Sequence, residues 1–313
     1  MRLVTYGFSE NLFDLDKKNV EEIAKIINEI YFRSGAVSRN AISALPAFSV
    51  FSSIINLSGV NKKDIVSAIH WEAKKVIPLP IEEMIIDWKK IENFGDKTDK
   101  ANIKILLTAA PRALVKKYTD IFKTAQLNLL SLEPETFALI RTLLGSDKST
   151  IMIVELGAAT TDLSIVSQSL PILNLSIDIG GLTITKAISN ALNIGLERAE
   201  QFKYDLGINL IESKDNIIPK TIVETISPIV NEIKYAISLF QSKNNKKVEK
   251  IVLSGGSALL INFADYLSKI LNINVIIGNP WDQVSYPLEL KPIIEEIGPR
   301  FAIAIGLAMR GIK

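Results

Sequence analysis

Short apolar runs and helical-period segments alternate along most of the chain. RLVTY (residues 2–6) reads as a short strand. Asp16 is placed to cap a helix whose apolar positions Val20, Ile23, Ile27 and Ile30 recur at helical spacing, with Gly35 as its stop. Asn40 to Leu45 is a further strand, ended by Pro46. From there to about residue 130 the pattern is that of a small α/β module. VFSSIINL, MIIDWKKI and IKILLTAA are its strands. KKDIVSAIHWEAKKVI is a helix stopped by Pro78 and Pro80, and PRALVKKYTDIFKTAQL is a helix with Pro111 in its first turn. The polar string ENFGDKTDKAN between two of the strands is an exposed loop. SLEPETFALIRTLLG (131–145) reads as an apolar helix opened by Glu133 and Glu135, acidic residues that complement its dipole.

After residue 150 the apolar density rises. Ile151 to Val154 is an unbroken apolar run, as a strand buried on both faces requires. A small-residue turn and the strand DLSIV follow, and Leu170 to Ile179 is a third, antiparallel strand. Gly180-Gly181 leads into the helix TITKAISNAL; LERAEQFKYDLG is a helix ending at Gly207, and a longer amphipathic helix covers about 219–242. Ile251 to Leu253 is a strand running through Ser254, Gly255 and Gly256 into a helix, and NINVIIGNPW is the next strand. PRFAIAIGLAMRGI is apolar on nearly every face, which predicts a buried terminal helix. No tandem repeat is present, but strands followed by strand–helix alternation occur on both sides of about residue 148.

Composition narrows the chemistry. A chain of 313 residues, 48% apolar and 22% charged, is a folded protein long enough for two lobes. The net charge of +2 makes no electrostatic case for nucleic acid or an anionic membrane. The densest basic string, KNNKKVEK (Lys243 to Lys250), reads as a solvated loop. The absence of cysteine excludes disulfides, thiolate metal sites and a Cys nucleophile, and the single histidine, His70, excludes His-rich metal sites. His70 itself, beside Trp71, reads as a packed or surface residue. No apolar segment reaches the roughly 18–20 residues of a membrane span, and MRLVTYGFSENLF lacks the order of a signal peptide, so a cytoplasmic location is expected.

Two strings carry candidate chemistry. In ELGAATTD, Gly157, Ala158 and Ala159 leave the backbone open to a ligand, and Thr160 and Thr161 add hydroxyls. Such a bend presents successive N–H groups to an anion. Glu155 and Asp162, flanking it, could hold a hydrated divalent cation. An ordinary hairpin with a Gly turn fits the same string. In LSGGSALL, Gly255-Gly256 at a strand–helix junction lets a planar or anionic ligand approach the backbone.

Together these strings resemble the actin-like ATPase superfamily of actin, heat-shock chaperones and sugar kinases. ELGAATTD looks like its second phosphate motif, with Glu155 where Asp is usual, and LSGGSALL resembles its adenosine motif. AEQFK is similar to the segment whose Glu and Lys, here Glu200 and Lys203, reach the ribose and base. LEPETFAL and FAIAIGLAMR resemble the two connecting helices, with Gly306 at their close crossing. Within the superfamily, ALPAFSVFSSII, AIHWEAKKVIPLPIEEMIIDW, TAAPRALVKKYTDIFKTAQLNLLSLEPE and SIDIGGLTITKAI resemble the PilM family of type IV pilus assembly, over nearly the whole chain.

The resemblance implies an α/β fold of duplicated RNase H-like lobes with an inserted subdomain. Its parts would be a first lobe (1–46 and 129–148), the insertion (47–128), a second lobe (149–190 and 248–298), a helical subdomain (191–247) and a terminal connecting helix (299–313). ATP or ADP with Mg²⁺ would sit between the lobes. Phosphates would lie on the Gly157–Thr161 amides, Mg²⁺ near Glu155 and Asp162, and the nucleoside near Gly180, Gly181, Glu200, Lys203, Gly255, Gly256 and Ser257. Glu133 is the candidate for orienting water. The family's first phosphate motif, D-x-G-x-x-S/T, has no counterpart upstream of Tyr6, and RLVTYGF matches the third strand of the first lobe. A start internal to a protein about 20–30 residues longer is one expectation, a degenerate site the other. Either way weak or absent hydrolysis is expected, with nucleotide acting as a conformational ligand. The family's role implies a cytoplasmic scaffold at the inner membrane, holding the N-terminal peptide of a PilN-like protein in a groove between the insertion and the main lobe. An FtsA-like filament former is the alternative. FtsA proteins end in a linker and an amphipathic helix, which this sequence does not show after Lys313.

Overall fold

The computed structural model describes residues 1–10, 18–60, 63–91, 102–208, 217–244 and 246–311. The chain divides into two compact units, Thr5–Pro134 and Met1–Val4 with Glu135–Lys313.

In the unit Thr5–Pro134, helix α1 (Val20–Arg33) starts at Asn19, whose side chain accepts from Glu22 N–H at 2.8 Å while the Glu22 carboxylate accepts from Asn19 N–H at 3.2 Å. This reciprocal box satisfies two of the orphan donors of the first turn. The expected cap, Asp16, lies outside the described residues. Strand β1 (Asn40–Leu45) follows, then β2 (Phe51–Ser58), α2 (Ile65–Val76), β3 (Met84–Lys90), β4 (Asn102–Pro111), α3 (Arg112–Thr124) and β5 (Asn128–Pro134). Strands β2, β4 and β3 form an antiparallel sheet in that order. Ile55, Leu57, Ile105 and Leu107 on one of its faces pack with Ile69 and Ala73 of α2. Pro111 is the cap of α3 and not within its first turn.

Strand β5 corrects the expectation that a helix opens near residue 131. It pairs parallel with β1, from Asn40 opposite Asn128 to Leu45 opposite Pro134. Pro134 explains the difference: the residue before a proline is pushed out of the helical region, so Glu133 stays extended and the helix begins at Glu135. The expected strand at 2–6 is also absent. Arg2 makes a single bridge to Ser285, with Leu3 N–H on Ser285 O at 2.9 Å and Ser285 N–H on Met1 O at 2.7 Å, and no ladder continues.

The other unit opens with α4 (Glu135–Leu139), which widens into a π-helical turn over Ile140–Leu144. Next come β6 (Ile151–Leu156), β7 (Thr161–Ser167), β8 (Leu170–Ile177), α5 (Gly181–Leu192), α6 (Leu196–Leu206) and α7 (Ile217–Asn244). Then follow β9 (Lys250–Ser254), α8 (Phe263–Leu271), β10 (Asn274–Ile277), α9 (Lys291–Ile297) and α10 (Ala302–Ala308). One mixed sheet runs β10-β9-β6-β7-β8, parallel across β10, β9 and β6 and antiparallel across β6, β7 and β8. Both faces are covered, which is why β6 reads as a continuous apolar run. Val154, Leu163 and Ile165 pack with Ile184 and Ile188 of α5 and Ile226, Ile229 and Ile233 of α7. Ile151, Ile153, Val166 and Val252 pack on the other side with Leu139, Ile140, Leu144 and Ala302. Each such fully buried side chain contributes about 1.5–3 kcal/mol of burial energy.

Helix α10 is buried on one face only: Ala302, Ile305 and Gly306 are inside, whereas Ala304 and Ala308 are exposed. That revises the expectation of burial on nearly every side. Alanine allows exposure at little cost, so apolar content alone overstated the covered face. At the crossing with α4, a Cβ on Gly306 would lie 2.1 Å from the Ala138 carbonyl oxygen, and the Arg141 guanidinium donates to Gly306 O.

Candidate functional site

The β6–β7 hairpin is built by pairing Leu156 with Thr161 and Glu155 with Asp162, and is closed by Gly157 N–H on Thr160 O at 3.0 Å. Ala158 and Ala159 are exposed at its tip, and among the described residues the amides of Ala158, Ala159 and Thr160 have no acceptor in the protein. Thr161 Oγ1 donates to Ile179 O at 2.6 Å, tying the hairpin to the segment that leads into α5.

That segment lies directly on the hairpin. Gly181 N–H donates to Gly157 O and Leu182 N–H to Ala158 O, each at 2.9 Å. A Cβ on Gly180 would meet the Ala158 carbonyl oxygen at 2.6 Å, and one on Gly181 would meet Ser257 Oγ at 2.4 Å. Gly255, at φ +84°, passes against β6 so closely that a Cβ would sit 2.3 Å from Leu156 O, and its own N–H donates to Pro299 O at 3.2 Å. Only glycine satisfies both the left-handed backbone and that approach. Gly256 differs: a Cβ there would come no nearer than 3.6 Å to Arg300 and Tyr204, its closest neighbours, which leaves open space. Gly157, Gly180, Gly181, Gly255, Gly256 and Ser257 are therefore one cluster of backbone at the ends of β6 and β9, assembled from strings about a hundred residues apart.

Beneath it lies a buried polar network. Lys203, 1% exposed, donates to both carboxylate oxygens of Glu200 at 2.7 Å, to Thr185 Oγ1 at 3.0 Å and to Gly181 O at 3.3 Å. Thr185 Oγ1 in turn lies against Glu200 and 2.9 Å from Gly181 O. Burial pulls the Lys203 ammonium below its usual range, and the Glu200 carboxylate opposes that shift. Lys203 is thus occupied on all sides, while the Glu200 carboxylate remains partly exposed.

On the hairpin, Glu155 and Asp162 are directly opposed across the antiparallel pair, which puts both carboxylates on one sheet face. Desolvation, followed by the negative charges of Glu135 and Asp162, pushes the half-buried Glu155 up to about 8. Asp162 is also raised, chiefly by burial, with hydroxyls of Ser176 and Thr160 opposing; Thr160 Oγ1 is 3.2 Å from Oδ2. Its Oδ1 is buried without a hydrogen-bond partner. Two adjacent carboxylates held out of water, one with an orphaned oxygen, fit a hydrated divalent cation, a hard ion that takes oxygen ligands. Among the described residues no group of three or more acidic or imidazole side chains forms a closed metal site. Glu133, on β5 of the other unit, is buried opposite Ala44.

Sequence reasoning missed Thr185. Its hydroxyl, four residues into α5, joins Lys203 and Glu200 to the Gly181 carbonyl. The i, i+4 spacing of Gly181 and Thr185 was the available signal.

Among known proteins, a family model for type IV pilus assembly protein PilM matches residues 4–312. A solved PilM-PilN type IV pilus biogenesis complex is similar at TM-score 0.80 and 24% identity, covering 94% of this chain and 85% of that one. MreB5 of Spiroplasma citri bound to ADP aligns at TM-score 0.54 and 16% identity over 94% of this chain and 75% of that one. The ethanolamine utilization protein EutJ from Carboxydothermus hydrogenoformans aligns at TM-score 0.53 and 15% identity, over 93% and 75%. Cell division protein FtsA of Neisseria meningitidis serogroup B is 25% identical over 52% of this chain and 43% of its own length, so the match spans less than half of that curated relative. Among the described residues no helix is long and apolar enough to cross a membrane. The fold is that of the actin-like ATPases, and the chain belongs to the PilM family of type IV pilus assembly proteins.

Proposed function

We propose that this PilM-family chain is a nucleotide-binding scaffold of a type IV pilus platform at the cytoplasmic face of the inner membrane. It is proposed to hold the N-terminal peptide of a PilN-like partner. The nucleotide half rests on one observation: Gly157, Gly180-Gly181 and Gly255–Ser257 converge over Glu200, in contacts too close for any Cβ at three of those glycines. In this reading the Ala158, Ala159 and Thr160 amides bind phosphate oxygens, and Glu155 and Asp162 hold Mg²⁺ through its water shell. Gly256 and Ser257 lie along the nucleoside. Glu200 accepts from ribose hydroxyls, its orientation fixed by Lys203. Mg²⁺, when bound, neutralises phosphate charge; the chain's own residues hold and orient the nucleotide and keep Glu155 ionised against its tendency to protonate. Glu133 is the candidate for orienting water. Glu155, one methylene longer than Asp, would displace a metal-held water, so turnover is expected to be weak or absent.

Gly256→Arg tests the nucleotide site, since the space above Gly256 admits a side chain without disturbing backbone. ATP or ADP with Mg²⁺ is expected to raise the melting temperature of the native chain and not of the variant. No shift in the native chain would leave the site without a nucleotide. Calorimetry with the N-terminal peptide of the cognate PilN-like protein tests the scaffold half, one-to-one binding being the expected result. The partial FtsA similarity supports a second reading, an FtsA-like filament former. ATP-dependent sedimentation of polymer, with no peptide binding, would favour it.

A further inference from the structure

At the end of the five-stranded sheet opposite the glycine cluster lies a cavity of about 540 Å³, lined by Lys148, Thr150, Ser167, Gln168, Lys246 and Lys247, with Ser149 and Glu249 completing its wall. The run of β6 from Ile151 to Leu156 separates the two ends by roughly 20 Å at 3.3 Å per residue, so both can be occupied at once. The cavity is polar but its charge is one-sided. Lys148, Lys246 and Lys247 are exposed, and none has a carboxylate within ion-pair distance among the described residues. The acidic groups nearby are already engaged: Glu249 Oε1 accepts from Thr150 N–H at 2.9 Å, and Asp147 is paired with Lys250 at 2.7 Å.

The floor is a built surface. Thr150 and Ser167, both buried, share a hydrogen bond at 3.2 Å, Glu249 N–H donates to Thr150 O at 2.8 Å, and Gln168 Nε2 donates to Lys148 O at 3.1 Å. Gln168 and Ser169 both have positive φ, 54° and 61°, in the turn joining β7 to β8. That conformation is unfavourable for L-residues other than Gly, Asn and Asp, and the turn holds Gln168 at the cavity wall.

We propose that this cavity docks an acidic segment of a partner protein, with carboxylates spaced along an extended chain meeting the three lysines. A compact phosphate fits the geometry less well. The lysines are separate point charges with no guanidinium fork among the lining residues, and no helix N-terminus among them supplies oriented amides. The string that composition alone presents as solvated loop is on this reading one wall of a binding surface.

The test uses the full chain and fluorescence anisotropy at low salt, with a labelled peptide of about 12 alternating Asp and Glu residues as probe and an Asn/Gln peptide of equal length as control. Exposed charge pairs of about 0.2–1 kcal/mol each predict that Lys148→Glu with Lys246→Glu and Lys247→Glu weakens binding roughly tenfold to a hundredfold. A control carrying Lys74→Glu, Lys89→Glu and Lys90→Glu, all exposed in the other unit, should bind as the native chain does. The nucleotide-dependent melting shift should be unchanged in the cavity variant, which separates this surface from the proposed nucleotide site. Equal loss in both variants, no loss in either, or equal binding of the neutral peptide overturns the proposal. So does displacement of the acidic peptide by inorganic phosphate at an ionic strength where chloride leaves it bound, because the site would then be one for a small anion.

Discussion

Glu155 gives the pH behaviour a sign. A carboxyl raised from an ordinary value of 4.5 to about 8 keeps its proton in the folded chain where the unfolded chain has lost it. Stability from this group is full below 4.5 and is lost as pH rises to about 8. Glu155→Gln should flatten that decline in melting temperature, and Mg²⁺ added at pH 8 should stabilise the native chain more than the variant. Lys203 offers a second test at this scale. Removing its ammonium strips a buried Glu200 partner and leaves Thr185 and the Gly181 carbonyl short of a donor, so Lys203→Met should cost about 2–4 kcal/mol in denaturant unfolding. The glycines were legible as sites of close backbone approach from their place at strand ends. The enclosure of Lys203 was not, because it depends on Thr185, 18 residues earlier on a different helix.

Among the elements, the α4–α10 crossing has the narrowest tolerance. A Cβ 2.1 Å from Ala138 O cannot be accommodated without moving one helix, so Gly306→Val should destabilise by about 1–3 kcal/mol or more. Gly256→Ala, with open space around it, should be close to neutral. Comparing the two in urea unfolding separates a packing glycine from a permissive one. Most elements were readable from their period because each buries one face or two. β1 and the β6–β7–β8 meander appear where alternation or a continuous apolar run places them. β5 escaped detection for a physical reason: its partner is β1, 88 residues away, and its acidic end looks like the first turn of a helix. Pro134 carried the missing information.

For the whole molecule, two units with separate apolar clusters predict unfolding that is not a single two-state event. Calorimetry should return a calorimetric enthalpy above the van't Hoff value. On the proposed reading, ATP with Mg²⁺ should raise the transition of the Glu135–Lys313 unit, which carries every candidate nucleotide residue except Glu133. The fold class followed from five short strings in a fixed order. The second face of the molecule's chemistry, the lysine-lined cavity, did not, because its walls come from three separate strand ends that only the sheet brings together.

The wide turn at Ile140–Leu144 has its own consequence. An i to i+5 turn takes one more residue per revolution than the helix before it, so the backbone there carries a slack residue. Shortening Ile140–Leu144 by one position should tighten the coil to an ordinary pitch without unravelling it. The residues beyond would be turned by about 100° about the axis. Such a deletion mutant would stay helical by circular dichroism yet lose the fit of Leu144 against β6, making that single surplus residue the setting that aligns the helix with the sheet.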